Sequence, residues 1–378
     1  MKSIKSGNRA WLAAVLWGAA LATPAVAQEI PVAIFNATTG VYAFGGVPIQ
    51  NAMRMALEDA NASGMLGAAK IKIFEGDTAG EKAQTLNLVN QFARRDKVML
   101  IMGPTTSGEA LGAVAAANDL QVPMLSIGSS NEIPAAGPWT FKIQASPNDI
   151  MSFLAKYVAE KSGIKKIAII YDQTNDGYVG QKNALRDGVK AGGVQVLAED
   201  AIQSSDSNFL ALATKLSSLD VDGIFIAAPA ELSANLVVQL RQAGVDPKVR
   251  ILGPSTLAAQ NFLKIGGKAV EGSYLVADYA ASNPSALNVA FVKAYKAKYG
   301  SDPDNWAAMG YTLAQVGLQA IKNAGPNPDR EKIRAALAKL NGVPVVIGTG
   351  VWTVNAARQP SYGGVLLTIK DGKFVSMQ

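Results

Sequence analysis

Short runs of Val, Ile, Leu and Ala alternate along this chain with longer stretches whose apolar residues recur every three to four positions. Ile30–Phe35 reads as a strand, and after a glycine-rich turn residues 46–62 carry apolar positions at helical spacing that stop before Gly64. Lys70–Phe74 predicts a second strand and Glu81–Arg95 a helix. Val98–Met102 predicts a third strand, followed by a turn and a helix running through Asn118, and Val122–Ser126 a fourth strand. Strands this apolar, separated by amphipathic helices, predict βαβ units and a mostly parallel sheet covered on both faces.

The pattern then restarts. Helices are expected at Asp149–Lys161, Gly180–Ala191, Asn208–Leu219 and Ala230–Ala243. Strands are expected at Lys166–Tyr171, Val194–Glu199, Asp222–Ala227, Arg250–Leu252 and Ser273–Val276. A helical region follows over Pro284–Tyr299, Ala307–Asn323 and Arg330–Leu340, and Gly363–Ile369 with Lys373–Val375 around Asp371-Gly372 reads as a β-hairpin. The result is an α/β chain in two halves, with a crossover near residues 144–147 that has no low-complexity linker. A cleft between two such halves is the default ligand site.

The N-terminus adds a compartment. Lys2, Lys5 and Arg9 precede the apolar run Trp11–Leu21, Thr23-Pro24 breaks it, and Ala25-Val26-Ala27 presents small residues where a signal peptidase reads. The run is shorter than the roughly 20 residues that span a bilayer, so residues 1–27 are expected to be a cleaved signal peptide. The absence of cysteine leaves neither a lipid-anchored cysteine nor a disulfide framework, and fits a bacterial periplasm.

Composition removes several classes. The chain has 35 basic and 29 acidic residues; without Lys2, Lys5 and Arg9 the balance is 32 to 29. No basic stripe interleaved with aromatics points to nucleic acid. The chain contains no histidine, so with cysteine also missing the usual zinc ligands and the usual general base are gone, and no D-x-D-x-D-G run offers a calcium loop. No metal, no cofactor and no catalysis are therefore expected. A serine/lysine or carboxylate-pair hydrolase is the residual enzyme reading, and nothing in the sequence demands it.

Four turns carry unusual chemistry. Asn36–Gly46 sets small and hydroxyl residues beside Tyr42 and Phe44, which either wall an apolar pocket or simply pack. Gly103–Glu109 places Thr106 and Ser107 at a helix start, where free backbone N–H groups and a hydroxyl make an anion site; Ser107 is read as the residue that opens the helix. It lacks the G-K-S/T ending of a P-loop. Ser126–Asn131 offers Gly128, Ser129 and Ser130 to the other side of the same anion. Asp172–Tyr178 brings Asp176 and Tyr178 from the second half, and Gly253–Thr256 adds Ser255 on that side.

Taken in order, T-G-V-Y-A-F-G-G, I-M-G-P-T-T-S-G, V-P-M-L-S-I-G-S-S-N, F-K-I-Q-A-S-P and I-A-I-I-Y-D-Q-x-x-D-G make the chain resemble the branched-chain amino-acid type of periplasmic solute-binding protein, which serves ABC importers. The resemblance spans nearly all of the mature chain. It implies a type I periplasmic binding protein fold: two Rossmann-like lobes with parallel sheets, joined by three crossovers. Lobe one is placed at 28–145 plus 280–347 and lobe two at 146–279 plus 348–378. It also implies a ligand carboxylate held by Ser107, Gly128 and Ser130. The ammonium side departs from the family. The glutamate of its G-P-E turn is Ser255 here, the tyrosine before Gly177 is Asp176, and a tyrosine-bearing turn is replaced by Ala227-Ala228-Pro229-Ala230.

An unpaired ammonium in a closed cleft is costly. The leading expectation is thus a small organic carboxylate, with an aromatic ring against Phe44 or Tyr42. The alternatives are a branched-chain or other amino acid with an altered amine clamp, an amide such as urea, or a ligand-sensing module of the same fold. The expected partners are that ligand and a membrane permease, with no nucleic acid, and the chain is expected to act as a monomer.

Overall fold

The computed structural model describes Met1 and residues 28–377; the signal peptide expected over residues 1–27 lies, apart from Met1, outside the described residues. Two sheets organise the rest. The first is parallel throughout, built from β1 (Glu29–Asn36), β2 (Lys70–Asp77), β3 (Leu100–Met102), β4 (Met124–Ser126) and β5 (Thr140–Lys142) in the order β2-β1-β3-β4-β5. β3, β4 and β5 are buried along their whole length, as expected for strands with helices on both faces.

The second sheet contains β6 (Lys166–Asp172), β7 (Gln195–Ile202), β8 (Gly223–Ala227), β9 (Arg250–Gly253) and β10 (Tyr274–Ala277), all parallel to their neighbours. A small antiparallel sheet follows, formed by β11 (Val343–Pro344), β12 (Val351–Val354) and β13 (Pro360–Ser361). The chain ends in the hairpin β14 (Val365–Lys370) and β15 (Lys373–Ser376), which extends the second sheet antiparallel along β10. The full order is β15-β14-β10-β9-β8-β6-β7.

The chain passes between the sheets three times. It leaves β5 for the helix Pro147–Glu160, leaves β10 for helices Ala286–Tyr299 and Asn305–Asn323, and returns through β11–β13 to β14. Helix Asn305–Asn323 packs on helix Ala43–Ser63 of the first lobe, although it follows the second sheet in sequence. Buried bonds tie the passages together. Tyr362 Oη donates to Asp278 Oδ1 at 2.5 Å and accepts from Ala145 N at 3.1 Å. Gly348 N donates to the Asp278 carbonyl at 2.8 Å, and Trp352 Nε1 donates to the Ile143 carbonyl at 3.1 Å. Asp278 is fully buried, which pushes its carboxyl up, while bonds from Tyr362, Asn305 and Gln144 offset part of the cost.

Candidate interlobe binding site

On the first lobe, helix Ala43–Ser63 starts three residues earlier than its periodicity predicts. The reason is Gly45-Gly46, which reads as turn but lies inside the first helical turn against Ala37 and Trp306. Tyr42 occupies the N-cap position and Phe44 sits in the first turn, not in a loop. Both side chains are buried. The Phe44 ring meets Trp306 edge to face, with centroids 5.9 Å apart at 78°. Tyr42 Oη accepts from Asn175 Nδ2 at 3.3 Å and lies 3.4 Å from Ser204 Oγ, both on the second lobe. Burial is the main cause that pushes its phenol up.

The turn after β3 is cross-linked to the end of β1. Thr105 Oγ1 accepts from Ala37 N at 3.1 Å and donates to Asn36 Oδ1 at 3.3 Å. Thr106, not Ser107, caps the helix Ser107–Asp119. Its hydroxyl accepts from Glu109 N at 3.2 Å, while Glu109 Oε2 accepts from Thr106 N at 2.8 Å, a reciprocal capping box. Burial pushes the Glu109 carboxyl up, and the Thr78 hydroxyl donates to it. Ser107 opens the helix, as the sequence reading has it, with Thr106 one position earlier as its cap. Freed from capping, Ser107 Oγ accepts from Ser130 N at 3.1 Å, joining the second turn to the third. Gly128 lets the third turn lie this close, since a Cβ there would come within 2.9 Å of Ser107 Cα.

The second lobe supplies the opposite wall. Asn175 Oδ1 accepts from Gly177 N at 2.9 Å and caps the helix Asp176–Ala191. A Cβ on Gly177 would stand 3.0 Å from Ser107 Oγ, so the first turns of two helices from opposite lobes face each other. Tyr178 is buried, and Gln181 follows Gly177 by one helical turn. Thr256 arrives from the short 3-10 turn Ser255–Leu257 after β9.

Together these walls line a small cavity between the lobes, part of it open to solvent. Of the residues singled out from the sequence, Tyr42, Phe44, Thr106, Ser107, Gly128, Ser129 and Tyr178 line it. Three predicted residues do not. Ser130 stands behind the lining and spends its N–H on Ser107. The Asp176 side chain is 55% exposed and turned out of the cavity, with Lys82 Nζ 3.8 Å away on the first lobe. Ser255 is buried beneath the surface, 3.4 Å from the Gln144 Nε2 that donates to it, and its neighbour Thr256 takes the lining place.

The sequence reading missed Thr105, Gln144, Asn175, Gly177, Gln181, Thr256 and Trp306 as lining residues. Asn175 and Gly177 lie in a turn that its chemistry singles out, and Gln144 lies in the first crossover. Trp306 carries no local signal, because only the return of its helix to the first lobe brings it here. None of the lining residues is Asp, Glu, Lys or Arg. Three buried polar atoms on the lining residues have no hydrogen-bond partner: Gln181 Oε1, Thr256 Oγ1 and Trp306 Nε1. Such atoms are costly unless something else satisfies them.

Among the described residues no cluster of His, Cys, Asp or Glu could hold a metal ion, and no helix is long and apolar enough to cross a membrane. The family model for periplasmic binding proteins matches residues 29–373. The Leu/Ile/Val-binding protein of Escherichia coli K12 is 27% identical over 335 residues, 88% of this chain and 89% of that one. A branched-chain amino-acid transporter substrate-binding protein of Streptococcus pneumoniae, solved in complex with isoleucine, superposes with a TM-score of 0.85 at 23% identity, covering 93% of this chain and all of that one. A solute-binding protein of an ABC transporter from Rhodopseudomonas palustris, solved in complex with benzoate, gives 0.84 at 21% identity, covering 93% and 96%. Two α/β lobes, three passages between them, an interlobe cavity and a model match over nearly the whole described chain place this protein in the periplasmic binding protein family, with the branched-chain amino-acid type I fold.

Proposed function

We propose that the protein is the periplasmic solute-binding component of an ABC importer, and that its solute is a small organic carboxylate with an aromatic ring. The fold does not choose the ligand, because similar folds hold isoleucine in one protein and benzoate in another. The lining chooses. The observation that carries the reading is a cavity wall of hydroxyls, amides, aromatic rings and backbone, with no carboxylate to pair an ammonium. A zwitterionic amino acid would bury that ammonium at considerable cost.

A carboxylate fits better at Ser107, Gly128 and Ser129. There the N-terminal ends of helices Ser107–Asp119 and Asp176–Ala191 converge, each with partial positive charge from its unpaired N–H groups. Two like dipole ends brought together favour an anion between them, so binding and closure support each other. Phe44, Tyr42, Tyr178 and Trp306 supply the apolar surface for a ring. Trp306 Nε1, Thr256 Oγ1 and Gln181 Oε1 are free to meet polar substituents. Solute binds the first lobe in the open form, and the second lobe's contacts become available on closing, which shifts the population toward a compact form that a membrane permease reads.

The amino-acid alternative has its own observation: Gln181 Oε1 is a buried acceptor without a partner and would take one N–H of an amine. A thermal-shift screen of amino acids, aromatic acids, aliphatic acids and amides on the mature protein separates the two, because a ligand that binds only the folded state raises its melting temperature. Stabilisation by aromatic acids is expected. A shift with leucine and none with any acid lacking an α-amine overturns the carboxylate reading.

A further inference from the structure

The turn Ser126–Asn131 rests on the buried amine of Lys142, which has no carboxylate in ion-pair contact among the described residues. Lys142, the last residue of β5, is 1% exposed. Its Nζ donates to the Ser129 carbonyl at 2.6 Å and to Asn131 Oδ1 at 3.0 Å. The acidic group that acts on it through space is Asp149, on helix Pro147–Glu160, whose Oδ2 accepts from Ser146 Oγ at 2.7 Å. Other charged groups near this strand are Arg358, Glu132 and Arg334, whose guanidinium lies against the Trp139 ring. Arg358 is held by the Gly137 and Thr140 carbonyls with its guanidinium against the Phe141 ring, and Glu132 is exposed at the start of helix Glu132–Ala135.

Ser129 lines the cavity, and the adjoining Ser130 N–H fixes Ser107 Oγ. The Lys142 amine therefore anchors this wall through the carbonyl of its lining residue Ser129. We propose that Lys142 is the counter-charge for a ligand carboxylate bound at Ser107, Gly128 and Ser129: a positioning residue that never touches the ligand but favours an anion there from beneath the turn. The inference rests on the carboxylate reading given above. It accounts for a lining without a cation, since the charge comes from the layer behind, where it stays dry and feels little screening.

Burial without a counter-ion pushes the Lys142 ammonium down to about 7. A carboxylate arriving in front of the turn favours the protonated form, so binding and proton uptake are linked in both directions. The sign follows: benzoate affinity is full where Lys142 is already protonated and falls as pH rises through its pKa.

The test is calorimetry of the wild-type mature protein with benzoate, in buffers of differing ionisation enthalpy. Proton uptake on binding is expected at about pH 8 and little at about pH 5.5. If the bound carboxylate shifts the lysine by one unit, affinity drops about tenfold between about pH 6 and about pH 9. Lys142→Met should abolish the uptake and weaken benzoate at about pH 6 by about tenfold or more. Lys142→Arg should keep the affinity and flatten the pH profile. Absence of proton uptake in the wild type, or a Lys142→Met variant that binds benzoate as tightly with the same pH profile, overturns the proposal. The wild-type measurement decides alone if the variants do not fold. Failure of the wild type to bind benzoate or any other acid removes the carboxylate reading itself, and this inference with it.

Discussion

Ser107 Oγ and Gly177 stand so close across the cleft that a Cβ on Gly177 would lie 3.0 Å from the hydroxyl oxygen and 3.1 Å from Asn175 Oδ1. The two residues sit in the first turns of helices on opposite lobes, so this approach is expected to be lost if the lobes part. Gly177→Ala should therefore disfavour the closed form more than it disfavours folding. Ligand affinity is expected to fall by about 1–2 kcal/mol, the scale of modest overpacking. The melting temperature without ligand should stay near wild type. Isothermal titration beside a melting curve separates the two, and equal loss in both would mean the glycine serves the fold and not closure.

Ser107→Ala removes a hydroxyl that accepts from Ser130 N and faces the cavity. The helix keeps its start, because Thr106 and Glu109 form the cap. The expected loss of carboxylate affinity is about 1–3 kcal/mol. Thr106→Ala is the contrasting variant: it removes the cap and is expected to lower stability by about 1 kcal/mol, with helix content as the readout. Unchanged affinity in Ser107→Ala would show that backbone groups alone hold the anion.

The βαβ order was legible because each strand is a short apolar run that both faces bury, as in Gly223–Ala227, where every residue is buried. The first three turns were legible for a related reason: glycines and hydroxyls concentrated at strand ends have no packing role that would call for them. The errors come from what sequence spacing does not encode. Gly45-Gly46 reads as turn, yet both are helical, and they are glycines because Trp306 and Ala37 leave little room for a Cβ. Ser107 does open its helix as expected, while Glu109 three residues after Thr106 is the signal that marks Thr106 as the cap. Asp176 sits one residue from Gly177, and a helix turns neighbours by about 100°, which sends its carboxylate outside toward Lys82. The short strands β11–β13 pair two or four residues each and carry no periodicity long enough to read.

Tyr362→Phe tests the joint between the lobes. The hydroxyl donates to Asp278 Oδ1 at 2.5 Å and accepts from Ala145 N at 3.1 Å, so it bridges two passages from a third. Removing it strands a buried carboxylate oxygen and a backbone N–H. A loss of about 2–4 kcal/mol in unfolding free energy is expected, from two unsatisfied buried groups. Chemical denaturation measures it. A loss below about 0.5 kcal/mol, the scale of a neutral surface change, would show that water replaces the phenol at the joint.

Asp304 gives the clearest expected pH dependence of folding. It caps helix Asn305–Asn323, accepting from Trp306 N at 3.0 Å and Ala307 N at 2.9 Å, and burial pushes its carboxyl up to about 6 despite those bonds. A carboxyl raised in the folded state binds its proton more tightly there than in the unfolded chain. Its contribution to stability is therefore largest at low pH and declines as pH rises from the ordinary aspartate range through about 6. Asp304→Asn keeps an oxygen for the cap and removes the charge. Near neutral pH the variant should be more stable than wild type by about 1 kcal/mol, well under the full equivalent of the shift because Asp304 keeps an exposed edge that solvent screens. Below about pH 4 both forms are neutral and the difference should vanish. Melting curves of the two proteins across this range check it. A variant less stable at neutral pH would mean that the charge on the helix N-terminus outweighs the cost of burying it.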